Sequence, residues 1–177
     1  MSEVSRWVVV TDDDPLASHN VVECAVRQDL SSPAREFVDQ MGSGTWKDDP
    51  HFAGAPDEGQ IYDMAKFVSE AEYIAHNGFP SRMSAVNHLR DGIWELKFGK
   101  HRLAYFDTPG DGTFMPKPPP SDSAEVPLEH QNEFWQYPHM DQVLRLSNGF
   151  GKTDQKTEPQ HIESARQIRD EDVAHDK

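Results

Sequence analysis

The stretch that most constrains this chain is IWELKFGKHRLAYF, residues 93–106. Two alternating runs, Ile93–Phe98 and His101–Phe106, flank Gly99-Lys100. A two-residue loop that opens on glycine joins antiparallel strands, because its backbone twist matches that of the strands on either side. The spacing therefore predicts a hairpin in which Phe98 faces His101, Lys97 faces Arg102, Leu96 faces Leu103, Glu95 faces Ala104 and Trp94 faces Tyr105. Alternation puts Trp94, Leu96, Phe98, His101, Leu103 and Tyr105 on one largely apolar face, suited to packing on helices. The other face carries Glu95, Lys97, Arg102 and Ala104.

Lys97 opposite Arg102 is a like-charge cross-strand pair, and such pairs cost roughly a few tenths of a kcal/mol or more. Two arrangements make sense of it. An anion can sit between the cations, phosphate being the natural one because Arg offers a planar fork and Lys a point charge. Alternatively, Glu95 bridges both cations on an exposed sheet. His101 carries a ring that titrates near neutrality and suits acid–base work, but it falls on the apolar face, which favours a structural role. Lys100 occupies the loop between the cations.

The remaining elements follow from periodicity and caps. Trp7–Val10 is a short β-branched run, predicted as a first strand and closed by Asp12-Asp13-Asp14-Pro15, read as a solvated turn rather than a metal site. Ser31-Ser32-Pro33 starts a helix over Ala34–Met41. Gln60–His76 carries a stripe of Ile61, Met64, Ala65, Val68, Ala71, Glu72 and Ile74 and ends at Asn77-Gly78. Phe79–Leu89 leads to a turn at Asp91-Gly92. Gln142–Phe150 reads as the last strand. Lys156–Val173 reads as a helix, with Thr157 and Gln160 as a capping box and Pro159 in the first turn. This order predicts an α+β fold: a small antiparallel or mixed sheet of about four strands, two helices in the N-terminal half and a C-terminal helix. The 177 residues suit one domain, with 42–58 and 109–139 as loop insertions rich in Gly, Pro and acid. Phe134, Trp135 and Tyr137 would pin the second loop to the body, or stack bases.

Charge narrows the function classes. Lys plus Arg number 17 and Asp plus Glu 31, a net charge of −14, so the surface as a whole cannot serve as a general polyanion binder. Residues 93–108 and 141–156 are the only positive segments, each with 3 basic against 2 acidic groups. Both read as strands. The second adds Arg145, Lys152 and Lys156, which join Lys97 and Arg102 in one patch if the last strand lies beside the hairpin. The single cysteine, Cys24, excludes an intramolecular disulfide and reads as a buried thiol in a reducing cytoplasm. No apolar run approaches the ~20 residues of a membrane span, and no signal peptide is expected. There is no phosphate-cradling glycine loop, no Cys/His zinc spacing and no nucleophile elbow, and the histidines are scattered singly. Neither a metal nor a cofactor is expected.

Two blocks resemble the RelE/ParE superfamily of type II toxin–antitoxin toxins, and most closely its HigB-like, phage-derived subgroup. Asp91-Gly92-Ile93-Trp94-Glu95-Leu96-Lys97, with Arg102 and Tyr105-Phe106, is similar to the first family block, with Lys97 where Arg is usual. Asn148-Gly149-Phe150-Gly151-Lys152-Thr153, Lys156-Thr157-Glu158-Pro159, Ile162, Ala165 and Arg169 are similar to the second, with one basic position lost to Thr153. The match covers about 60–108 and 141–172 and neither acidic loop. The resemblance implies a metal-independent endoribonuclease that cuts mRNA on the ribosome and is restrained by a cognate antitoxin of helix-turn-helix type. By position it makes Arg102 the main phosphate cation, Lys97 its partner and Lys152 a further contact; Arg145, Lys156, His101 and Lys100, read from charge and placement, are candidates around the substrate. Members are usually basic and near 100 residues, and this chain is acidic and longer. The alternative is therefore a degenerate protein of the same fold that works through its acidic surface. A ParE-like gyrase poison would share the fold but not the chemistry.

Overall fold

The computed structural model describes residues 3–10, 19–119, 137–154 and 156–177. The elements run β1 (Val21–Cys24), α1 (Pro33–Ser43), α2 (Glu58–Asn77), a short 3-10 turn (Met83–Ala85), β2 (Val86–Arg90), β3 (Ile93–Phe98), β4 (His101–Thr108), β5 (Val143–Gly151) and α3 (Pro159–Ala174). The strands form one five-stranded sheet in the order β1-β5-β4-β3-β2. β1 runs parallel to β5, and the other neighbours are antiparallel. The protein is thus α+β with a mixed sheet, as the element order predicts, with one strand more than expected.

The hairpin forms in the expected register, Trp94↔Tyr105 through Phe98↔His101. Gly99 takes φ +60°, a value that side-chain-bearing residues resist, and a Cβ there would strike the Asp63 carboxylate. α1 and α2 cover the face bearing Trp94, Leu96, Phe98, Leu103 and Tyr105, together with Phe37, Met41, Met64, Phe67, Ile74, Leu144 and Leu146. α3 covers the opposite face, packing Ala165, Ile168 and Val173 on Ile93, Ala104, Phe106 and Phe150. The sheet is therefore sandwiched between helices, and its cationic face is the one beneath α3.

Four local expectations are corrected. The first strand is Val21–Cys24, because only that segment pairs with β5; Trp7–Val10 lies alongside it through a single bridge, Val8↔Glu23. The inward stripe of α2 is rotated: Phe67 is buried while Ile61 and Val68 are 39% and 37% exposed. Gln60 and Asp63 turn inward instead, each bonded to a neighbouring segment. β2 occupies the stretch before Asp91-Gly92. The capping box of α3 does not form: Glu158 is the N-cap, without a side-chain cap bond, and the Thr157 hydroxyl points elsewhere. The Asp12–Asp14 turn, Phe134 and Trp135 lie outside the described residues.

The described parts of the two acidic loops pack against the body. Trp46 and Asp49 of the first are buried, and Asp57 caps α2 by accepting from the Gln60 amide at 3.2 Å. In the second, the Lys117 carbonyl accepts from Trp94 Nε1 at 2.8 Å, Arg169 lies over the Phe114 ring, and Tyr137 meets Tyr105 hydroxyl to hydroxyl at 3.2 Å. Among the described residues no helix is long and apolar enough to cross a membrane. Cys24 is buried, and burial pushes its thiol up to about 12.

Asp107 on β4 carries a folding consequence. Burial raises its carboxyl to about 6 against a usual value near 3.8, and its Oδ1 has no hydrogen-bond partner. A raised acid favours folding below its unfolded pKa, and that contribution is lost as pH rises through the folded value. The stability difference between the native chain and Asp107→Asn should shift toward the native chain by on the order of 1–3 kcal/mol between pH 7 and pH 4. Urea melts of both proteins across that range measure it, and a difference independent of pH would contradict the assignment.

Candidate functional site

The site is built on the centres of β3 and β4. In a hairpin closed by two residues, Phe98 and His101 exchange hydrogen bonds, so Lys97 and Arg102 form a non-hydrogen-bonded pair, in which side chains come closest. Phe150 of β5 lies opposite Arg102 on the far side, and the chain leaves β5 through Gly151 and Lys152. The Lys152 amide donates to the Lys100 carbonyl at 3.0 Å, which returns the Lys152 side chain to the cationic face.

Beneath these cations lies Glu95, with no exposed surface. Its Oε1 is 3.6 Å from Lys152 Nζ and 3.9 Å from Arg102 Nε, and it accepts from Asn87 Nδ2 at 3.4 Å. Its Oε2 accepts from the Thr157 hydroxyl at 2.9 Å. Three cations thus surround one carboxylate, leaving a local charge of +2 in a chain of net −14. Arg102 and Lys152 side chains keep 14% of their surface exposed. The cluster is shielded but open.

The donors are incompletely satisfied. Arg102 directs Nη1 to the carbonyls of Gly99 and His101, at 2.9 and 2.8 Å, while its Nε has no hydrogen-bond partner. Among the described residues Lys97 has no carboxylate within ion-pair distance. Burial lowers its pKa, and the neighbouring Arg102 and Lys152 charges lower it further against the pull of Glu95. Burial likewise lowers Arg102, with Glu95 and Asp63 opposing. Lys97 and Arg102 thus stand side by side as two cations whose pKa values burial lowers, with the buried Arg102 Nε turned toward Glu95 at 3.9 Å.

The structure brings Arg102, Lys97 and Lys152 together and separates two other candidates from them. Arg145 is buried under the end of α3, bonded to Glu23 at 2.8 Å, Asp172 at 2.7 Å and Asp176. Burial works to lower its pKa, but Asp176, Asp172 and Glu23 together hold it above its ordinary value. Arg145 lies opposite Phe106, four positions along β4 from Arg102 and at the far end of β5 from Lys152. His101 lies on the opposite face, with Nδ1 2.7 Å from Asp63 and Nε2 2.6 Å from Asp49. An acceptor at each ring nitrogen makes it a clamp between α2 and the first acidic loop, out of reach of a substrate on the other face. Burial acts to raise Asp49, yet bonds from His51, His101 and Gln60 hold it below the usual range. Lys100 is exposed in the turn beside the cluster, and Lys156 is exposed next to Thr157 at its rim.

Three supporting residues escaped the sequence reading. Asn87 sits in a strand that was not anticipated. Thr157 was taken for a cap. Glu95 was seen as a possible bridge on an exposed sheet, not as a buried anchor. Among the described residues no group of three His, Cys, Asp or Glu side chains could hold a metal ion. No family model matches the chain, and no curated protein matches it in sequence.

The cluster makes opposite demands on its members. Glu95→Gln should lower stability by on the order of 2–4 kcal/mol, because it leaves the cations facing one another without compensation. Lys97→Met should leave stability unchanged or raise it, because it removes a like-charge neighbour of Arg102. Paired urea melts at pH 7 measure both, and equal losses in the two variants would contradict this arrangement.

Proposed function

We propose that this protein is a metal-independent endoribonuclease of the RelE/ParE toxin type, closest to the HigB-like subgroup, that cuts mRNA presented by the ribosome and is restrained by a cognate antitoxin. The observation that carries the reading is the cationic cluster of Lys97, Arg102 and Lys152 around one buried carboxylate. The residues that converge there also belong to the two blocks that resemble the family.

RNA carries its own nucleophile. The ribose 2′-oxygen attacks the adjacent phosphorus and the bond to the 5′-oxygen breaks, giving a 2′,3′-cyclic phosphate and a 5′-hydroxyl. The 2′-hydroxyl proton passes to the deprotonated fraction of Lys97, which burial and its like-charged neighbours enlarge by lowering its pKa. Arg102 and Lys152 hold the phosphorane oxygens as charge accumulates on them, and a preorganised donor of this kind supplies several kcal/mol. A proton from the Lys152 ammonium or from water completes the departing 5′-hydroxyl. Lys100 and Lys156 flank the strand entering and leaving the site.

A competing reading, a catalytically degenerate interaction protein of the same fold, draws on one observation: Arg102 commits Nη1 to two backbone carbonyls and Glu95 offsets part of the charge. Expression of the chain alone in a sensitive bacterium, with mapping of mRNA 5′ ends, separates the two. The ribonuclease reading expects growth arrest and new 5′-hydroxyl ends. It also expects a loss of cleavage on the order of 10²–10³ in Arg102→Ala, the range seen when one oxyanion donor is removed. In vitro the rate should rise with pH through a lysine pKa below the ordinary 10.5. Folded protein that neither arrests growth nor cuts RNA with ribosomes present would overturn it.

A further inference from the structure

A second recognition surface lies at the free edge of β5. β1 pairs with β5 only over Val143–Leu146, and the last bond on that side runs from the Ala25 amide to the Leu146 carbonyl at 2.8 Å. Beyond it, β5 continues to Gly151 with no strand beside it among the described residues. Arg102↔Phe150 is a hydrogen-bonded pair by the hairpin's alternation, and Lys152 donates back to Lys100, so Phe150 and Lys152 turn their backbone groups toward β4. Gly149 and Gly151 therefore turn their N–H and C=O groups outward. Unpaired edges of this kind accept a further strand.

This edge is walled, not blunted. It forms the floor of a groove of about 530 Å³ between α1 with the first acidic loop on one side and the start of α3 on the other. Side chains are excluded from the floor: a Cβ on Gly149 would land on the Phe37 ring, and one on Gly151 would come within 2.6 Å of Pro50. The walls carry Glu36, Asp48 and Glu158, all exposed, and no lysine or arginine lines the described groove. It adjoins the cationic cluster through Phe150, Gly151 and Thr153, but Lys97, Arg102 and Lys152 are not among its lining residues.

We propose that this groove binds an extended basic peptide segment of a partner protein by strand addition. Gly149 and Gly151 provide main-chain pairing, and Glu36, Asp48 and Glu158 select lysine or arginine at alternate positions. A second copy of this chain fits poorly, because it would bring one acidic groove against another.

The probe is a capped hexapeptide alternating lysine with valine, added to the full chain at about 150 mM salt. Three controls accompany it: the same peptide with glutamate for lysine, an alternately N-methylated version, and the double variant Glu36→Lys, Glu158→Lys, whose two positions are exposed. Amide exchange of Gly149 and Gly151 is read by NMR. The expected result is fast exchange in the free chain and slowing on adding the basic peptide, with at least tenfold weaker binding in the double variant and none for the N-methylated peptide. No binding at millimolar peptide, equal binding of the acidic peptide, or binding that leaves both glycine amides unprotected would overturn the proposal. So would protection that appears without peptide and grows with protein concentration, which would mark the edge as a self-association surface. None of these outcomes depends on whether the chain cuts RNA.

Discussion

One buried carboxylate joins more of this molecule than any other described side chain on the face beneath α3. Glu95 lies on β3, accepts from Asn87 of β2 and from Thr157 ahead of α3, and faces Arg102 of β4 and Lys152 beyond β5. Burying a lone carboxylate in such a place is costly; here two cations and two neutral donors face it and offset that cost. The cations in turn are tolerated so close together only because Glu95 lies beneath them. Stability and the proposed chemistry therefore share one group, and the site exists because the fold needs its own anchor compensated.

The opposite face is organised around another buried polar contact. His101 stands between Asp49 and Asp63 and ties the first acidic loop and α2 to the hairpin. Gln60 completes that link through Asp49 and the backbone of Trp46. The loop that reads as an insertion thus supplies a buried counter-charge and one wall of the β5-edge groove. Asp49 and Asp57 of the N-terminal third belong to buried contacts, while Asp29, Glu36, Asp39 and Asp48 are exposed. A second buried network, Arg6 and Arg145 with Glu23, Asp172 and Asp176, fixes the end of α3 to β1 and β5.

What could be read from the sequence was what short-range rules control. The hairpin register, and with it the Lys97–Arg102 pair, follows from a glycine at the first loop position and from alternation. The start of α1 follows from its serine cap and the end of α2 from Asn77-Gly78, whereas the Asp57 cap that starts α2 does not stand out. The misreadings have non-local causes. Trp7–Val10 and Val21–Cys24 are equally short β-branched runs, and only pairing with β5, more than a hundred residues away, decides between them. Thr157 satisfies a local capping pattern but bonds a partner in β3. Arg145 has the alternation expected of a site cation, yet it sits at the far end of β5 and three distant carboxylates claim it. His101 was placed on the correct face, but its aspartate partners come from a loop and a helix that no spacing rule connects to it.

The central claim is that Lys97, Arg102 and Lys152 form a phosphodiester site around Glu95. The most direct test is side-chain ¹⁵N–¹H NMR of these groups during titration with a 2′-O-methyl RNA oligonucleotide, which presents the phosphate but cannot be cleaved. The account predicts a shift of the Arg102 Nε–H resonance on binding, with parallel changes at Lys97 and Lys152 and none at Arg145. Shifts at Arg145 alone, or RNA binding that leaves Arg102 Nε unmoved, would contradict it.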